Sequence, residues 1–257
     1  MSRTISKLES ELGVSLFDRY KNRLTLTDAG KAFYQQVSLS LWELDKGVEE
    51  LGRTDAQPSG QLRILVQQHR DTVVDCIMAF KKLYPKVSFQ ISYETKPTDY
   101  QQYDLCIAGD QPDESFSGRQ CLITETLKLV VSRDHWTADA QQIPFGALSA
   151  EEFAIVSPNS NQWIQTLMQC RQAGFEPKVS ITCSDLHCLM KYINAAMAIT
   201  VGPEIAWQGL NVENAVFIPT VPKITRSTYV FWNPHKSASR LSGLYREFLV
   251  TYFKDLS

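Results

Sequence analysis

The chain has 257 residues, enough to bury more than one hydrophobic core, and its 44% hydrophobic and 21% charged residues are the mix of a soluble folded protein. A formal net charge of −2 excludes a polyanion binder that works by overall charge, so any contact with nucleic acid must come from a local basic face. No apolar run has the length of a signal peptide or membrane span; the six cysteines (Cys76, Cys106, Cys121, Cys170, Cys183 and Cys188) show no C-x-x-C spacing, which predicts reduced, partly buried thiols and a cytoplasmic protein.

At the N-terminus Ile5, Leu8 and Leu12 recur at helical spacing and place Arg3, Thr4 and Lys7 on the opposite face. Gly13 follows as a C-cap, because glycine takes the left-handed conformation at little cost. Tyr20-Lys21-Asn22-Arg23 lies between two short apolar segments, as a hairpin tip does. On pattern alone this is an ordinary amphipathic helix and turn with a solvated basic face. Thr27 is placed to cap a long helix running to about Leu51. Within it Phe33, Val37, Leu41, Leu44, Val48 and Leu51 alternate steps of three and four, the seam of a coiled coil, with packing on its own domain as the competing reading. Gly52 to Gly60, GRTDAQPSG, reads as a hinge.

From Gln61 strands and helices alternate. Leu62–Val66 is a buried strand; Thr72–Leu83 is an amphipathic helix with Val73, Ile77, Phe80 and Leu83 inward; Val87–Tyr93, Leu105–Ala108 and Leu127–Val131 are further strands. A second unit begins at about Asp134, with strands at Phe153–Val156, Val179–Cys183 and Ala198–Val201 and helices at Asn161–Ala173 and Asp185–Ala196. Thr228–Trp232 and an amphipathic helix over Leu241–Phe253 close the chain. The alternation predicts an α/β fold with parallel sheets.

Two stretches carry a family resemblance. Ser2-Arg3-Thr4-Ile5-Ser6-Lys7-Leu8-Glu9 with Glu11-Leu12-Gly13 resembles the recognition helix and C-cap of LysR-type transcriptional regulators, and Leu16-Phe17-Asp18-Arg19 with Leu24-Thr25-Leu26-Thr27-Asp28-Ala29-Gly30 resembles their wing. Gly60 to Ile64, Phe80 through Tyr84-Pro85-Lys86-Val87, Tyr103 to Ile107, Cys170 to Pro177 and Ser184 to His187 resemble the same family's effector domain. Between Glu94 and Tyr103 the chain departs from it, with ETKPTDYQQ where the family often has a longer helix. The resemblance implies a partial winged helix-turn-helix at 1–30 and a linker and dimerisation helix with hinge at 31–59. It further implies a two-lobed, periplasmic-binding-protein-like effector domain at 60–257, with lobe I at about 60–133 plus 224–257 and lobe II at about 134–223. Met1 stands where the family carries Val or Leu before Ser-Arg, so a misassigned start codon and a longer natural protein are expected, with DNA binding impaired in the chain as given.

In such a fold the ligand cleft lies between the lobes, beside strand ends and helix N-termini, whose free N–H groups attract carboxylates or phosphates. Gln67, Gln68, His69 and Thr72 follow the first strand and open the first helix; Ser157, Asn159 and Asn161 do the same in the second lobe, and Thr200 and Gly202 end a strand near the crossover. These are the candidate effector contacts, with ordinary helix caps as the competing reading. In the DNA-binding part the resemblance implies Arg3, Thr4 and Lys7 at the groove and backbone and Arg19, Lys21 and Arg23 at phosphates.

Cys183-Ser184-Asp185-Leu186-His187-Cys188 holds four potential metal ligands, but Asp185 and His187 point to different faces of a helix and no second cluster complements them, so no metal is expected. Only Cys170 beside Arg171 suggests an activated thiol. The four histidines are scattered and the glycine and serine motifs of common enzymes are absent, so neither catalysis nor a cofactor is expected. The leading expectation is a regulator that binds operator DNA as a homodimer or homotetramer under control of a small effector, with no membrane partner. The alternative is a stand-alone metabolite-binding module without DNA activity.

Overall fold

The computed structural model describes residues 3–20, 23–30, 32–34, 37, 40, 58–158, 160–207, 210, 213–234 and 239–256, with only the backbone of Arg3, Arg19, Tyr20, Arg23 and Leu24. The chain divides into two compact units, Met1–Gln57 and Pro58–Ser257.

In the first unit, α1 (Arg3–Leu12) ends where Gly13 adopts φ +70° and donates its N–H to the Glu9 carbonyl, the expected glycine stop. Strands β1 (Phe17–Tyr20) and β2 (Arg23–Leu26) form the expected antiparallel hairpin, pairing Phe17 with Leu26. Glu9 fastens helix to hairpin, its carboxylate accepting the N–H groups of Leu16 (2.7 Å) and Phe17 (3.1 Å). Thr27 caps the next helix by accepting the Gly30 N–H at 2.9 Å. Gly30 must be glycine, since a Cβ there would lie 2.0 Å from the Leu16 carbonyl oxygen. Phe33 and Val37 are helical; the rest of the expected coiled-coil seam, Leu41, Leu44, Val48 and Leu51, lies outside the described residues.

The second unit is built on β3 (Gly60–Val66), flanked in parallel by β4 (Val87–Ser92) and β5 (Leu105–Ala108). Helix α2 (Arg70–Leu83) covers this sheet with Val73, Cys76, Ile77 and Phe80. Leu83 was expected inward, but it is 57% exposed, because Tyr84 lies nearer the centre of the apolar stripe and packs on the core instead.

Two long strands depart from the expected all-parallel pattern. β6 (Gly118–Ser132) begins nine residues before the expected Leu127 and runs antiparallel to β13 (Ile224–Trp232), which itself pairs antiparallel with β5. The early half of β6 contributes Leu122 and Ile123 to a core shared with β3, α2 and the terminal helix α5 (Arg240–Lys254). Its late half contributes Leu127, Leu129 and Val131 to a second core with Phe145, Phe153 and Trp163. There β6 pairs with β10 (Thr200–Pro203) and β11 (Ala215–Ile218), while β8 (Glu152–Ile155) joins β9 (Lys178–Thr182) in parallel and reaches the β10 side through a Phe153–Ile199 bridge. A short pair, β7 (Ile143–Pro144) with β12 (Thr220–Val221), edges this half. Helices α3 (Asn161–Gln172) and α4 (Leu186–Asn194) pack on it. The result is a two-lobed α/β fold in which β6 and β13 pass from one lobe to the other.

Candidate functional site: an interlobe cleft and a basic helix–hairpin

A cleft of about 560 Å³ lies between the lobes of the second unit. Three helices begin on its wall: α2 through Gln67 to Asp71, α3 through Ser160 to Trp163, and α4 through Ser184 to His187. The last two are capped by their own chain, the Ser160 hydroxyl accepting the Trp163 N–H (3.2 Å) and the Asp185 carboxylate accepting the Cys188 N–H (2.8 Å). Helix α2 differs. Its N-cap residue is His69, which makes no side-chain cap and sits in the left-handed region at φ +53°. A residue other than glycine is uncommon there and is held by its surroundings, and the missing cap leaves the first N–H groups of α2 without a side-chain acceptor.

Those surroundings are a buried ionic cluster beneath the cleft. Glu125 on β6 stands opposite Arg226 on β13 in the strand register. Its Oε1 accepts from Arg226 Nε (3.0 Å) and Nη2 (2.8 Å), and its Oε2 accepts the backbone N–H of Ala206 (3.2 Å). His69 Nε2 lies 2.8 Å from the same Oε1, at ion-pair distance but without hydrogen-bond alignment. The His69 and Glu125 side chains are 0% and 1% exposed. Burial is the largest influence on Glu125 and opposes its ionisation, yet His69 and Arg226 together outweigh it and hold the carboxyl below its ordinary value. Burial also lowers the Arg226 guanidinium from its usual value, against the pull of Glu125. Next door, Thr228 donates its hydroxyl to Gln68 Oε1 at 2.6 Å.

Of the sequence-predicted effector contacts, Gln67, Gln68, His69, Ser157, Asn161 and Thr200 line the cleft, whereas Thr72 and Gly202 lie outside its lining. Asn159 lies outside the described residues. Gly202 is covered by an indole, since a Cβ on it would meet Trp207 at 2.1 Å. Gln67 turns its amide donor to the carbonyl of Thr95 (2.8 Å), and Gln162 donates to the carbonyl of Val201. Asn161 reaches across the mouth to Asp110, Nδ2 to Oδ2 2.8 Å. Arg70 lies in the polar run after the first strand that was expected to face the cleft, and it does; sequence reasoning missed Thr95, Trp207 and Arg226 on the wall and Glu125 below it. Arg70 is held by Tyr93, donating to its carbonyl (3.1 Å) with its guanidinium 5.1 Å from the ring centre.

Cys170 is buried and pushed up to about 12, by burial first and Glu176 second, while Arg171 turns away to Glu176 at 2.7 Å, so the adjacency in sequence activates nothing. In the first unit, Thr4 and Lys7 are exposed on α1, and Lys7 is 3.8 Å from Glu11. The backbone of Arg3 lies on α1 and those of Arg19 and Arg23 on the hairpin strands; Lys21 lies outside the described residues.

Residues 55–254 match the family described as the LysR substrate binding domain, and residues 1–31 match the bacterial regulatory helix-turn-helix proteins of the lysR family. The chain is 27% identical over 269 aligned residues to the transcriptional dual regulator GltC of Bacillus subtilis, covering 100% of this chain and 88% of that protein. It is 24% identical to a hydrogen peroxide-inducible genes activator of Dickeya chrysanthemi, covering 96% and 83%. Among solved structures, a full-length OxyR variant from Pseudomonas aeruginosa shares the fold with a TM-score of 0.76 at 19% identity, covering 97% of this chain and 86% of that one. The regulatory domain of Synechocystis CcmR, solved in complex with 2-PG, gives 0.68 at 19% identity, covering 77% and 99%.

Proposed function

The chain belongs to the LysR family of transcriptional regulators, and from that membership we propose that its interlobe cleft binds a small anionic effector whose occupancy changes how the protein engages operator DNA. The observation that carries the anion is the convergence of three helix N-termini on one cleft, one of them lacking a side-chain cap. Backbone N–H groups offered this way suit a carboxylate or phosphate. Gln67, Gln68, Ser157, Asn161 and Thr200 supply hydrogen bonds around it. The CcmR regulatory domain, which shares this fold, was solved in complex with 2-PG.

The protein acts as a cytoplasmic regulator rather than an enzyme, and as a homo-oligomer on a roughly palindromic site. Arg3, Thr4 and Lys7 meet the groove and Arg19, Lys21 and Arg23 meet phosphates. The working division is a DNA-binding segment at 1–30, a linker at 31–59 and an effector domain from 60. The lobes exchange at Glu125 and Arg226, since β6 passes between the two cores there.

Thermal melting of the full chain with small mono- and dicarboxylic acids, phosphorylated acids and their neutral amides tests the effector. A ligand at about 100 times its Kd adds about 2.7 kcal/mol and raises the midpoint. Stabilisation by acids and not by amides is expected; equal response to both refutes an anion site. Titration with duplex DNA at two salt concentrations tests the rest, with affinity falling steeply as salt rises.

A further inference from the structure

One carboxylate joins three separate segments beside the cleft. Glu125 lies on β6 between the last residue of that strand in the first core, Ile123, and the first in the second, Leu127. Arg226 opposite it lies on the other crossover strand, β13. His69 begins α2 in lobe I. Ala206, whose N–H the carboxylate accepts, follows β10 in a segment that straddles the lobes: Ile205 packs on the first core, while Ala206 and Trp207 pack on the core of α4. The pairing of β6 with β13 also slips between Thr228 and Tyr229, opposite Cys121 to Ile123 on the lobe I side of Glu125.

We propose that Glu125 is the positioning residue of the cleft: by binding Arg226, His69 and the Ala206 N–H together, it sets the angle at which the two lobes close. This rests on the reading of the cleft as the effector site only for what the closed cleft holds. A buried carboxylate with three partners on separate segments is a stiff joint, because releasing any one leaves a charge poorly compensated in a dry setting. Two crossover strands alone would let the lobes rock, as hinged α/β lobes do. The joint lies under the cleft floor and its lever arm ends at the mouth, where Asn161 of lobe II meets Asp110 of lobe I.

That mouth contact supplies the readout. In the full chain, with the exposed Cys121 and Cys188 and the half-buried Cys183 replaced by serine, Asp110→Cys and Asn161→Cys are introduced together. The initial rate of intramolecular crosslinking by a short bis-maleimide is measured without ligand and well below the melting temperature. Adding Glu125→Gln is expected to slow crosslinking at least threefold. Phe80→Leu, which weakens the lobe I core without touching the joint, is expected to leave the rate unchanged even where it lowers the melting temperature as much. Arg226→Lys, which keeps the charge and loses the two-pronged contact, is expected to fall between and decides the matter should Glu125→Gln not fold. A Glu125→Gln rate equal to the parent's, or a Phe80→Leu rate that falls with it, overturns the proposal. Because no ligand is present, the result stands apart from the acid-and-amide melting series, in which the effector reading alone can fail.

Discussion

Replacing Arg226 by methionine isolates the energetics of the buried cluster. The change keeps an unbranched apolar stem and removes both hydrogen bonds to Glu125 Oε1, at 3.0 and 2.8 Å. Breaking a buried ion pair costs about 3–5 kcal/mol, because the surviving charge is left in the interior. Here His69 at 2.8 Å and the Ala206 N–H at 3.2 Å remain, which places the expected loss near the lower end, about 3 kcal/mol at neutral pH. The sign of the pH dependence follows from the carboxyl. In the parent its folded pKa is depressed, so its contribution is present above the ordinary value of 4.5 and is lost as pH falls through the folded value. Without Arg226, burial opposes ionisation against His69 alone, so the carboxyl rises from its depressed position and protonates sooner on acidification than in the parent. The gap between variant and parent should therefore narrow as pH falls. Urea unfolding followed by tryptophan emission measures it, Trp163 and Trp207 both lying on the cleft wall. The double change Glu125→Leu with Arg226→Met should return to within about 1 kcal/mol of the parent, since an apolar pair replaces a costly desolvated one. A single-variant loss under about 1 kcal/mol, or a double variant as unstable as the two single losses summed, would refute the reasoning.

Gly202→Ala should lower stability by about 1–3 kcal/mol through overpacking, and because the new methyl would meet Trp207 at 2.1 Å, tryptophan emission should change; an unaltered spectrum and midpoint would contradict the contact. Cys76, Cys106 and Cys170 are buried and pushed up to about 12, so a thiol reagent at neutral pH should reach only Cys121, Cys183 and Cys188 before unfolding, and fast labelling of any of the first three would be inconsistent with the packing. Glu9→Ala removes the acceptor shared by the Leu16 and Phe17 N–H groups; their amide exchange should accelerate and the first unit should lose about 1–3 kcal/mol.

Elements that announce themselves by a local period were legible in the sequence. The helix over Asn161–Gln172, the terminal helix over Arg240–Lys254 and the core strand at Leu62–Val66 fall within a residue or two of expectation, because one buried face writes a repeat into the chain. β6 was half legible. Its late residues are continuously buried, but Arg119, Gln120 and Cys121 at its start are exposed, so nothing in their pattern distinguishes strand from loop. The parallel arrangement failed at β6 and β13 for a related reason. Alternating strands and helices imply parallel neighbours, yet a chain that leaves one lobe and returns must cross twice, and those crossings run antiparallel here.

The cleft shows the same division at the level of side chains. Gln67, Gln68 and His69 were legible because a polar run between a strand and a helix is a local signal, and the fold places it on the wall. Glu125 and Arg226 are 101 residues apart and become partners only through the register of two strands. Both fall outside the strands expected from the sequence, Leu127–Val131 and Thr228–Trp232, and the fold buries Glu125 while leaving the Arg226 side chain 10% exposed on the cleft wall. His69 joins them because α2 starts in a left-handed conformation uncommon for residues other than glycine. A loop can be read from its composition, whereas a joint exists only once the two lobes meet. The cleft's chemistry was thus partly visible in the sequence, and the device that holds its walls together became visible only in the fold.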